Sequence, residues 1–175
     1  MSRSSVALAA AIPLCMLAAA AATHLATAQT RANERMTPHL SFVVSVVPDV
    51  VAAATRLSVN VDIRPRHGIH VYAPGTQYRP VRVVLDADPL LQIENAIYPQ
   101  PHAYLFKPLN EQVLVYDEPF RVAQLVTIGG PARPASGRRA RSSLTIRGRL
   151  EYQACDAEVC YLPASIGFEQ SVRMK

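Results

Sequence analysis

Cys155 and Cys160 stand in the run Tyr152-Gln153-Ala154-Cys155-Asp156-Ala157-Glu158-Val159-Cys160-Tyr161-Leu162-Pro163. The chain has three cysteines, and the third, Cys15, falls in an apolar N-terminal segment. Beyond that segment the chemistry of sulfur rests on two thiols four residues apart. Such a pair closes one small disulfide, and that bond is either a staple or a redox site. As a staple it is weak. Loop-closure entropy contributes about 2 kcal/mol for so short a loop, against about 4.7 kcal/mol for a 100-residue loop. Short loop length therefore favours redox chemistry, with a structural bond and a metal site as alternatives. Low-pKa attacking cysteines sit at helix N-termini or beside cations. Here the neighbours are Asp156 and Glu158, whose like charge disfavours a thiolate. The pair is thus expected to be a disulfide attacked by an activated partner through a mixed disulfide. A metal would need more ligands. His67 and His70 form an H-x-x-H, but on a strand they point to opposite faces, and the spacing matches no zinc pattern. Surface or packing histidines are the stronger reading. No Ser-His-Asp order, Gly-rich phosphate loop or carboxylate pair supports hydrolase or nucleotide chemistry.

The elements that must position this pair read as β throughout. Leu40–Val47, Leu57–Ile63, Ile69–Tyr72, Val81–Leu85, Leu91–Tyr98, Gln112–Tyr116, Phe120–Ile128, Leu144–Tyr152 and Ile166–Val172 carry strand composition or period-two alternation. Val50–Ala54 reads as a short turn or a strand start. Leu144 to Cys155 and Cys160 to Phe168 read as two strands flanking a four-residue connection, which places the cysteines at the mouth of a hairpin. The 14 prolines fit turns and edges of short strands. Eight or nine short strands predict an all-β, two-sheet antiparallel sandwich.

The N-terminus sets the compartment. Arg3, the apolar run Val6 to Ala22, and Ala26-Thr27-Ala28 read as a cleaved signal peptide over 1–28. Residues 29–38 read as a flexible lead-in, and 39–175 as one sandwich domain. An exported, periplasmic chain meets disulfide-forming conditions, with no stable membrane insertion once the signal is cleaved. The formal net charge is +5, concentrated in Arg133, Arg138, Arg139, Arg141, Arg147 and Arg149. The stretch 129–143 is rich in Gly, Pro, Ser and Arg and reads as a solvated loop. It lacks the interleaved aromatic residues of a nucleic-acid surface, so nucleic acid is not an expected partner.

The 152–163 run resembles the redox hairpin in the family of N-terminal periplasmic domains of DsbD, the thiol:disulfide interchange protein. Gly68-Ile69-His70-Val71-Tyr72-Ala73-Pro74 is similar to that family's aromatic strand. Tyr78-Arg79-Pro80-Val81 is similar to the start of its next strand. Ala96-Ile97-Tyr98-Pro99 is similar to the approach to its active-site cap, and Val115-Tyr116 with Phe120-Arg121-Val122 to the two strands that follow. The resemblance spans about residues 40–173. It implies an immunoglobulin-like antiparallel β-sandwich and a thiol–disulfide oxidoreductase component whose Cys155–Cys160 pair is the only redox group, with no added cofactor. Electrons would come from a thioredoxin-like reductase and pass to periplasmic reductants, those of cytochrome c biogenesis among them. A flexible cap would correspond to Pro99 through Asn110, with Tyr104 and Phe106 as shield residues. His70 and Tyr72 would line the site, and Tyr152 and Tyr161 would flank it together with Asp156 and Glu158. Full-length DsbD continues into a membrane electron-transfer domain and a thioredoxin-like domain. This sequence ends at Lys175, so the expected partners are a membrane thiol reductase and thioredoxin-fold proteins encoded separately. The competing expectation is a non-enzymatic sandwich binding module with a structural disulfide.

Overall fold

A computed structural model describes residues 34–129 and 142–175. The signal-peptide reading over 1–28, the first part of the lead-in and most of the Arg-rich stretch lie outside the described residues. Glu34–Lys175 forms one compact unit. Its elements are β1 (Arg35–Met36), β2 (Leu40–Val47), β3 (Val50–Val51), β4 (Arg56–Pro65), β5 (His70–Tyr72), β6 (Arg82–Leu85), β7 (Leu91–Ile97), β8 (His102–Phe106), β9 (Glu111–Tyr116), β10 (Phe120–Ile128), β11 (Ser143–Tyr152), β12 (Ala154–Cys155) and β13 (Ala164–Met174). A 3-10 turn, Lys107–Leu109, joins β8 to β9. Among the described residues no helix is long and apolar enough to cross a membrane.

The strands form an immunoglobulin-like sandwich with a third, smaller sheet. One sheet runs β1-β2-β4-β10-β7 and the second β3-β13-β11-β6. Their alternating apolar residues meet in one core. Leu40, Phe42, Val59, Val61, Ile63 and Val122 of the first sheet are buried with Leu144, Ile146, Leu150 and Val172 of the second. Period-two patterning produces this directly, because one face of each strand is apolar and the sheets bury those faces against each other. Gly148 is required where three strands meet on the inner face of β11. A Cβ there would lie 2.6 Å from the Val84 carbonyl oxygen and 3.0 Å from the Phe168 ring.

The third sheet runs β12-β5-β9-β8, and its two faces are unlike. Val71, Ala73, Tyr116 and Ala154 join the main core. Tyr72, Val113, Val115 and Cys155 form a separate apolar cluster on the opposite face. Alternation along β5, β9 and β12 thus directs odd and even residues into two different environments, and the second one holds Cys155.

The structure refines four expectations. The lead-in is partly ordered structure: Arg35 and Met36 pair with Phe42 and Ser41. The buried Thr37 hydroxyl donates to the Leu40 carbonyl and accepts from the His39 and Leu40 amides. Polar composition concealed a backbone-paired turn. Val50–Val51 is a strand, paired in parallel with Arg173 and Met174, and a turn follows it. The Pro99–Asn110 stretch, expected as a flexible cap, contains a strand-paired hairpin arm, because β8 pairs along its length with β9. Finally, β11 does not run on to Cys155. Its pairing with β13 ends at Tyr152 and Ala164. The chain breaks at Gln153, and Ala154 and Cys155 pair instead with Val71 and His70 of β5.

Candidate functional site

The crossing from the second sheet to the third creates the cysteine hairpin. Cys155 and Cys160 form an antiparallel bridge, closed by the Asp156 N–H donating to the Val159 carbonyl at 3.0 Å and the Tyr161 N–H to the Ala154 carbonyl at 2.8 Å. Asp156 organises the turn between them. Its Oδ1 accepts the Glu158 and Val159 amides, each at 2.8 Å, and its Oδ2 accepts the Tyr161 hydroxyl at 2.6 Å. The Tyr161 hydroxyl first, then the two amides, holds the Asp156 carboxyl at about 2. The Tyr161 ring stacks on His39 at 4.3 Å, and Gln153 Nε2 donates to the Tyr161 carbonyl at 3.1 Å. The hairpin is therefore braced from its outer side. Asp156 is not merely a like charge beside a thiol; an Asx-type turn depends on it.

A pH test follows from the sign of that shift. The folded carboxyl lies below its ordinary value of 3.8, so its contribution is complete above about pH 4 and is lost as pH falls toward 2. In Asp156→Ala the Glu158 and Val159 amides are expected to exchange hydrogen faster than in the parent above pH 4. The difference should shrink as pH approaches 2. A difference independent of pH would show that the carboxylate does not hold the turn.

Cys155 and Cys160 are bonded, with an S–S distance of 2.17 Å. The two sulfurs differ sharply in surroundings. Cys155 is fully buried, at 0% exposure, whereas Cys160 is exposed. Val159 and Leu162, close to Cys160 in sequence, are themselves 51% and 88% exposed, so the rim beside the accessible cysteine is apolar. On the inner side the Tyr72 hydroxyl lies 3.2 Å from Cys160 Sγ and 3.3 Å from Cys155 Sγ. Disulfide sulfurs carry no hydrogen, so the phenol is the donor to both. Burial, then the neighbouring Tyr78 and Glu111, pushes the Tyr72 phenol up to about 12, so it stays protonated throughout the range in which thiols exchange.

Aromatic rings frame this donor. Tyr78 stacks on Tyr72 with centroids 4.4 Å apart and planes at 12°, and its hydroxyl donates to Glu111. Gln77 Nε2 donates to the same carboxylate at 2.5 Å. His70 meets the edge of Tyr72 at 6.1 Å and lies against Tyr104 at 4.4 Å. Tyr104, opposite Val113 in the β8–β9 pair, packs on the cluster that contains Cys155.

The structure sorts the remaining expected site residues. His70, Tyr72, Tyr104 and Phe106 come together on one face of the third sheet. Phe106 departs from the loop reading, since it is buried at the end of β8 and meets His70 edge-on at 6.4 Å. Tyr104 is half-buried and is the ring at the margin of the cluster. Tyr152 packs on the other side, away from this cluster. Strand parity turns it into the main core, where its hydroxyl donates to Thr37 Oγ1 at 2.9 Å. Tyr161 acts from outside the hairpin, and Glu158 is exposed. His67 is exposed on the Arg66–Ile69 turn while His70 is buried, so the H-x-x-H does not converge. Tyr78 and Glu111 were missed. Tyr78 stands alone in a Pro-punctuated stretch, and nothing in its neighbours marks it as the partner of Tyr72.

No protein-family model matches the chain, and no curated protein matches it either. Solved structures do. The N-terminal domain of DsbD from Neisseria meningitidis, in the reduced form, is 20% identical over 69% of this chain and 82% of that one, with a TM-score of 0.46. The N-terminal periplasmic domain of ScsB from Proteus mirabilis is 11% identical over 80% of this chain and 49% of that one, with a TM-score of 0.50. This chain has the fold of the ScsB N-terminal domain. It spans about half of that ScsB structure, and at this identity the likeness concerns fold. The chemistry has to be read from the cysteine hairpin itself.

Proposed function

We propose that this chain is a periplasmic thiol–disulfide exchange domain, exported by the segment 1–28, with Cys155–Cys160 as its redox-active bond. The asymmetry of the disulfide carries this reading: one cysteine is exposed, the other is buried, and one phenol reaches both sulfurs. A partner thiolate attacks the exposed Cys160 Sγ. The S–S bond breaks, the electron pair moves to Cys155 Sγ, and a partner–Cys160 mixed disulfide forms. The partner's second thiol then attacks its own sulfur in that bond and releases Cys160. Two electrons and two protons have passed from the partner dithiol, which leaves as a disulfide. The reverse sequence reduces a downstream disulfide. A thioredoxin-fold reductase, fed by a membrane thiol reductase, suits this chemistry upstream, and its apolar rim would meet Val159 and Leu162. The neighbours are themselves N-terminal domains, one named as periplasmic, which supports the compartment.

The reduction potential of the pair tests the proposal. Equilibration in glutathione or dithiothreitol buffers is expected to place it in the range of exchange proteins, about −120 to −270 mV. A value well below about −300 mV marks a resistant structural bond and leaves the binding-module reading in its place.

A further inference from the structure

His70 is 2% exposed, and its Nε2 is buried with no hydrogen-bond partner among the described residues. A buried polar group left unpaired by the protein costs about 1–3 kcal/mol, and native proteins keep few of them. His70 lies directly opposite Cys155 in the β5–β12 pair. Residues so opposed project to the same face, with Cβ atoms about 4.5–5.5 Å apart. While the disulfide is closed, Cys155 offers this imidazole neither a charge nor a proton. Reduction changes that, because Cys155 Sγ then carries the electron pair in a site closed to water. An isolated thiolate there is costly, and burial alone would push the thiol up and make it a poor nucleophile. A histidine beside it supplies the missing countercharge.

Resting on the exchange reading above, we propose that His70 is the proton partner of Cys155. It is neutral beside the closed disulfide and becomes an imidazolium paired with the Cys155 thiolate once the bond opens. The balance is simple. The partner's sulfur bonds Cys160, the S–S bond breaks, its electron pair stays on Cys155, and one solvent proton is taken up on the imidazole. When a downstream disulfide has been attacked by Cys160, the Cys155 thiolate resolves the mixed disulfide and the imidazole returns its proton. His70 thereby keeps the resolving sulfur anionic without exposing it.

The groups facing His70 fit this role. In the closed state burial lowers its basicity most, while Asp117 and Asp156 raise it and His102 lowers it. Asp117 lies 3.4 Å from His102 and both are partly exposed, so the charged groups nearest the imidazole open to solvent. From β5 and β8 it meets Tyr72 and Tyr104, and Glu111 is occupied by Tyr78 and Gln77. Of these neighbours only His102 can carry a positive charge, and it is exposed beside Asp117, whereas His70 stands directly opposite Cys155.

Histidine-selective NMR on the chain, oxidised and then reduced with dithiothreitol, reads the pairing without any protein partner. The His70 imidazole pKa is expected to rise by about one unit or more on reduction, since interacting groups titrate as a pair. In Cys160→Ser, thiolate absorbance should titrate Cys155 below about 8.5, the ordinary thiol value. Adding His70→Phe, which keeps an aromatic ring, should move it up by about one unit or more. An imidazole pKa unchanged by reduction overturns the proposal and leaves the exchange reading intact; this measurement needs no variant to fold. A bond that dithiothreitol cannot open overturns both.

Discussion

Cys155→Ser is expected to accumulate a mixed disulfide with an oxidised thioredoxin-fold protein, and Cys160→Ser is not. The exposed cysteine decides this. With Cys155 removed, Cys160 retains access to solvent and an apolar rim formed by Val159 and Leu162. It can attack a partner disulfide, but the sulfur that would resolve the product is gone. With Cys160 removed, Cys155 remains under Tyr72 and the third sheet at no exposure, and a partner sulfur cannot reach it along the line that displacement requires. Both variants lose turnover entirely, because transfer of two electrons needs both sulfurs. Non-reducing electrophoresis and mass spectrometry with the oxidised partner distinguish them. Trapping by Cys160→Ser alone would reverse the assignment of attacked and buried sulfur. Equal trapping by both would mean that the hairpin opens widely enough to erase the asymmetry.

The difference between this hairpin and its sequence reading lies in one residue. The alternation of Leu144, Ile146, Leu150 and Tyr152 specifies an inward face, and the structure buries all four. The same alternation, extended through Gln153 toward Cys155, suggests one long strand. The break at Gln153 is invisible because Ala154 and Cys155 are apolar in either case, and their partner, β5, is distant in sequence. Proximity misled the reading of Tyr152 for the same reason. It is three residues from Cys155, yet strand parity directs it to Thr37. Period two is informative in β8: His102, Tyr104 and Phe106 alternate with Ala103 and Leu105, and both predicted shield rings leave the same side of the strand. Prolines on either side of this run favoured a loop, and backbone pairing with β9 prevailed. The contact of Tyr72 with Tyr78 needs a chain reversal through Gly75, whose φ of +94° suits glycine. Such a reversal is legible as a turn, but the ring it brings back is not.

Tyr72→Phe is expected to slow reduction of the disulfide by about ten- to a hundredfold while leaving the fold in place. The ring survives, so stacking on Tyr78 at 4.4 Å survives with it. Only the hydroxyl shared by the two sulfurs is lost. Its contribution to the closed bond is small, because a neutral disulfide sulfur is a weak acceptor. Negative charge grows on Cys155 Sγ as the S–S bond stretches, and a donor already in place then interacts with an anion. Hydrogen bonds to charged groups are worth about 1.5–3 kcal/mol, which corresponds to about ten- to a hundredfold in rate. If the reduced sulfur rests as a thiolate, the same loss makes the bond harder to reduce. The potential then moves to more negative values by about 30–60 mV, since about 1.4 kcal/mol corresponds to 30 mV for two electrons. The ratio of parent to variant rates should be flat from pH 6 to 9, because a phenol held near 12 does not titrate there. Stopped-flow reduction by dithiothreitol, followed across pH, measures the rate and its profile together. A rate unchanged in Tyr72→Phe would make this tyrosine a packing residue. A ratio that changes between pH 6 and 9 would mean that the phenol does not act on the leaving sulfur independently of a group that titrates in that range.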